Sequence, residues 1–161
     1  MKNGYDAAKE YYEGKRELYG LPSFEEISIL FDVSNLSRPA KFIFYEIAQC
    51  MIQTVNSMLA LLESIISGIR LGSSFEYKML SIHERENLKR MWFKLQSVMW
   101  KLHRVSSSLD EEELCVALKE VYDFWITEFI PFRDSFFKAL EERWGKQKIK
   151  RSEQGSLDIY E

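Results

Sequence analysis

The chain has 161 residues, a formal net charge of −3, 46% apolar and 29% charged residues, and only seven Gly and three Pro. That length suits one domain with enough material for a core, and so little Gly and Pro favours helices over a strand-and-turn architecture. The acidic balance argues against wholesale coating of nucleic acid, and the two cysteines, Cys50 and Cys115, have no CxxC partner and so point to neither a disulfide framework nor a zinc site.

Residues 4–19 read as a first helix, with Ala8, Tyr12 and Tyr19 leaning to one side, Gly14 weakening it and Gly20 stopping it. Ser23 and Glu26 form an S-x-x-E capping box ahead of Ile27, Leu30 and Phe31, which predicts a short helix over 24–32. The third helix, 39–69, carries a heptad seam: Phe44, Ala48, Met51, Val55, Met58, Leu62, Ile65 and Ile69 follow spacings of four and three. Its uncharged run, 47–62, contains Gln49, Gln53 and Asn56 and is too short and polar for a membrane span. The N-terminus lacks the apolar run of a signal peptide. The expectation is a cytoplasmic protein with no membrane partner.

Residues 70–80 read as an irregular connector. Ser81 and Glu84 cap a helix over 82–105 with a core stripe of Leu88, Trp92, Leu95, Met99 and Leu102. Ser106–Ser108 make a break, and Ser108 with Glu111 give a third capping box before a last helix over 109–145. Pro131 should kink or split that helix, and Gly145 should end it. The expected fold is all-α. It is an up-down bundle of three long helices (39–69, 82–105, 109–145) closed by two shorter N-terminal ones, with 1–145 as one domain and 146–161 as a flexible polar tail.

The chain has no GxSxG, P-loop or GxGxxG. Its two histidines, His83 and His103, would lie about 30 Å apart along one helix. No cofactor is expected. One alternative is a divalent-metal-dependent hydrolase using Glu113, Glu120 and Asp123, but these carboxylates lie on one helix rather than converging from several. A second alternative is a DNA-binding regulator. Phe24–Ser34 resembles the first helix and turn of a helix-turn-helix, with Ile27 and Val33 at its apolar positions and Ser28 at its small one. The pattern then departs: Asp32 stands where Gly is usual, and Pro39 would fall inside the recognition helix of a motif spanning 24–41. Nucleic acid is not the expected partner.

On the helix 82–105, Phe93 and Trp100 project opposite the core stripe, with Lys89, Arg90, Lys94, Lys101 and Arg104 around them. Exposed together, two large aromatics form an apolar patch of the kind that marks interfaces; covered by the N-terminal helices, they belong to the core. The leading expectation is a non-enzymatic interaction or scaffold protein that self-associates as a homodimer, with these seven residues at the interface.

Overall fold

The computed structural model of the chain describes residues 4–34, 36, 38–67 and 73–155. The fold is an all-α bundle without strands among the described residues. Helix α1 spans Gly4–Tyr19, α2 Phe24–Phe31, α3 Ile43–Ser67, α4 Ser73–Met79, α5 Ile82–Ser108, α6 Glu111–Phe124 and α7 Ile130–Gly155. A 3₁₀ turn at Ala40–Phe42 leads into α3, and a π turn at Trp125–Phe129 joins α6 to α7.

Helix α3 is the spine. Ile43, Phe44, Ile47, Ala48, Met51, Ile52, Val55, Leu59, Leu62 and Ile65 are all buried, so the heptad seam does face inward. Met58, expected on that seam, is only half-buried, and Ile69 lies outside the described residues. By length and composition Ala40–Ser67 would also suffice to cross a membrane; here its apolar side is covered by α1, α5 and α6. Burial of each large side chain contributes about 1.5–3 kcal/mol. Packing therefore outweighs the modest helix propensity of its Ile, Val and Thr residues.

The first helix docks on the spine through aromatic rings. Tyr12 is fully buried, with its ring centroid 5.6 Å from Phe44 and 5.5 Å from Phe24. Its hydroxyl donates to the Pro22 carbonyl at 2.9 Å, so the one polar atom on that ring is satisfied. Gly20 ends α1 at φ 63°, with the Leu21 amide donating to the Arg16 carbonyl, a Schellman closure that needs left-handed backbone. Gly14, by contrast, lies inside α1 with nothing within 4 Å of an added Cβ. Gly14→Ala is expected to raise unfolding stability by about 0.5–1 kcal/mol, because Ala restricts the unfolded chain and fits helical backbone. A urea titration that showed no gain would mean α1 is not helical through residue 14.

The two capping boxes predicted at Ser23/Glu26 and Ser81/Glu84 both form. Elsewhere the boundaries differ. The connector expected at 70–80 contains helix α4, which packs on α3. Helix α5 continues through Ser108. Leu109 takes the left-handed turn at φ 54°, and Asp110, not Ser108, caps α6 by accepting from the Glu113 amide at 2.9 Å. Glu111 is thereby released to bond Lys15 and Tyr11 of α1.

Pro131 does not end the last helix, which is interrupted by a π turn just before it. A proline ring clashes with the carbonyl four residues back. The π turn widens the backbone just before it, with the Ile130 amide bonded to the Trp125 carbonyl, so the rod runs on through Gly155. Gly145 is passed over, and the predicted tail is helical from 146 to 155.

Candidate functional site: the outer face of helix α5

Helix α5 turns Leu88, Met91, Leu95, Leu102 and Val105 into the core. At about 100° per residue, Phe93 and Trp100 come round to the opposite side. Phe93 is 65% and Trp100 66% exposed. The N-terminal helices do not cover them: α1 packs on α3 and on α6, where Tyr11 and Lys15 hold Glu111. Ile82, eleven residues before Phe93 and therefore on the same side, is 75% exposed. Sequence reasoning missed Ile82, although its spacing from Phe93 carried the signal.

Both aromatics are braced by neighbours. Phe93 packs edge-on against Trp92 at 5.1 Å, and the Trp100 ring lies 5.9 Å from the His103 ring. The side of the helix toward solvent thus presents apolar surface in contact with neighbouring rings.

The five bases expected around these rings divide into two groups. Lys94 pairs with Glu128 and Lys101 with Glu120, both across the seam to the neighbouring rod. The pairings run in opposite senses, which makes α5 antiparallel to α6 and to the π turn. Exposed pairs of this kind contribute about 0–1 kcal/mol each, so their value lies in fixing register. Arg90 donates only to Asn87, and Lys89 and Arg104 have no carboxylate partner among the described residues. A shallow open groove follows the seam, lined by Lys94, Val98, Lys101, Glu120 and Phe124. It continues past Arg104 to Glu112, Glu113 and Val116.

The outward side of α6 is acidic. Glu112 and Asp123 face outward there beside Val116, which is 50% exposed, and the exposed Glu113 and Glu120 turn toward α5. The three carboxylates of the metal-hydrolase alternative do not meet. Glu113 accepts from the Ser108 hydroxyl, Glu120 pairs with Lys101, and Asp123 pairs with Lys119. No group of three potential ligands forms among the described residues.

For the helix-turn-helix alternative, Asp32 does adopt the left-handed turn that Gly usually takes, at φ 51°, and Ile27 and Val33 are buried. The next helix is α3, however, whose first turns bury Ile43, Phe44 and Ile47 in the bundle and offer no free recognition face. Of the thiols, Cys115 is buried, and burial pushes its pKa up to about 12, so it holds its proton and is no nucleophile.

The base of α5 is clamped to the end of the antiparallel rod. Arg143 donates to both carboxylate oxygens of Glu84 at 2.6 and 2.7 Å. Burial pushes the Glu84 pKa up, but hydrogen bonds from Arg143 and from the Ser81 side chain and backbone outweigh it and hold the group at about 2. A folded-state pKa below the unfolded one adds stability at high pH that is lost as pH falls. The contribution of this clamp is therefore complete above about pH 4.5 and fades toward pH 2. Arg143→Ala is expected to cost about 1–2 kcal/mol at neutral pH, with the gap from the parent narrowing as urea titrations approach pH 2. A gap independent of pH would place the loss in the arginine's packing instead.

No protein-family model matches this chain, and no curated protein or solved structure matches it either.

Proposed function

We propose that the chain is a non-enzymatic protein-interaction module that self-associates through the outer face of α5. The observation that carries this reading is the pair Phe93 and Trp100, held by neighbouring rings yet two-thirds exposed on the same side of one helix. Aromatic side chains left outside a well-filled core supply the anchoring contacts of interfaces. The free cations Lys89 and Arg104 beside them add orientation and association rate more than affinity.

Sedimentation equilibrium across the micromolar range tests the reading. A monomer–dimer equilibrium is the expected result. A strict monomer at the highest concentration reached would overturn it.

A further inference from the structure

Among the described residues, two faces without a packing partner lie side by side, and their charges are opposite. On α5, Lys94 and Lys101 mark the side toward α6, and Leu95 and Leu102 mark the side toward α3. The outward side then carries Phe93, Trp100 and Arg104. On α6, Glu120 marks the side toward α5, and Leu114, Leu118 and Val121 mark the core side. Its outward side carries Glu112, Val116 and Asp123, the last paired with Lys119 of the same helix. The two stripes therefore look the same way, one basic and aromatic, the other acidic around Val116.

We infer that the α5 stripe of one copy docks on the α6 stripe of a second copy, and reciprocally, about a two-fold axis running along the α5–α6 seam. This rests on the self-association proposed above and specifies its geometry. Charge decides between the ways two copies can meet. Antiparallel pairing of α5 on α5, centred between Phe93 and Trp100, brings Lys89 opposite Arg104. Parallel pairing sets each cation on its own equivalent. Neither cation is ion-paired among the described residues, although Arg104 shares a groove with Glu112 and Glu113 of its own chain, and like charges facing across an interface disfavour both pairings.

A two-fold parallel to the helices avoids this. Each residue keeps its height along the axis, so Arg104 comes opposite the partner's Glu112 and Glu113, the level it already shares with them along the groove. By the register in which Lys101 lies level with Glu120, Trp100 comes between the partner's Val116 and Asp123. The arrangement is closed and self-complementary, so it stops at a dimer.

The test is a charge swap in the full chain. One variant carries Arg104→Glu, the other Glu112→Lys/Glu113→Lys, and circular dichroism melts establish that each is folded. Each alone places like charges across both halves of the dimer. Each is expected to dimerise about tenfold or more weakly than the parent, as two repulsive contacts of ~1 kcal/mol would produce. Mixed in equal amounts, the two restore opposite charges in both halves. The mixed dimer should return to within about threefold of parental affinity.

If the parent dimerises while either variant is unaffected, or the mixture stays as weak as its components, the α5-on-α6 geometry is wrong and self-association stands. If the parent is monomeric, the underlying reading fails with it.

Discussion

Replacing Phe44 with Ala is expected to destabilise the fold by about 3–5 kcal/mol, the range for truncating a buried phenylalanine. Phe44 is 1% exposed, and three tyrosines of α1 converge on it, with ring centroids at 6.3 Å for Tyr11, 5.6 Å for Tyr12 and 6.4 Å for Tyr19. A cavity there would sit between two helices joined at that end chiefly by rings, so little can collapse into it. The polar links of α1, Lys9 to Glu25 and Lys15 to Glu111, are solvent-exposed or half-exposed pairs, which contribute little. Against a total stability of about 5–15 kcal/mol for a domain, the loss would leave α1 the first segment to open. In urea, the midpoint should fall by roughly 2 M at an m-value of about 2 kcal/mol/M, and hydrogen exchange in α1 should accelerate before that in α3. A loss under ~1 kcal/mol would mean that the polar links hold α1 in place, contrary to the packing argument.

What the residues reveal in advance depends on how local the deciding interaction is. The capping boxes at Ser23/Glu26 and Ser81/Glu84 need only a hydroxyl and a carboxylate three residues apart, and both form as the spacing implies. The α3 seam repeats over many turns and is equally legible. Helix α4 is different. At seven residues it is far below the length at which an isolated helix holds, and it exists because α3 packs beside it.

The π turn is an intermediate case. Val121, Trp125 and Phe129 are all buried, at two successive spacings of four. In an uninterrupted α-helix those two steps would swing the last side chain about 80° off the core. One inserted residue brings it back and also relieves Pro131, so the spacing and the proline together imply the wide turn, whereas the proline alone suggests a kink. On α5, composition could not separate Lys94 and Lys101 from Lys89 and Arg104. Each of the first pair follows one residue after an exposed aromatic, which turns it about 100° toward the acidic rod. That rotation makes them braces and leaves the others free.

The opposite extreme from Phe44 is the pair on the outer face, where the expected effect falls on association rather than on folding. Phe93→Ala/Trp100→Ala removes rings that are about two-thirds exposed in the single chain, so the monomer's stability should change by no more than about 0.5 kcal/mol. In a two-fold dimer the substitution is present in both copies, and four rings are lost at once. At ~1 kcal/mol apiece, a modest value for interface aromatics, the sum is about 4 kcal/mol, or close to a thousandfold in Kd. Sedimentation should then show a folded monomer at concentrations where the parent is dimeric, with an unchanged thermal melt at high dilution. The two readouts separate the roles these rings could have. A variant that unfolds places them in the core, and one that dimerises as well as the parent removes α5 from the interface. A single substitution gives about half the free-energy effect, so Trp100→Ala alone should weaken the dimer by roughly thirtyfold. An equal share lost from Phe93→Ala would mean that both rings anchor the contact, whereas a much smaller one would shift its centre toward Trp100 and Arg104, the end that faces the acidic first turn of α6.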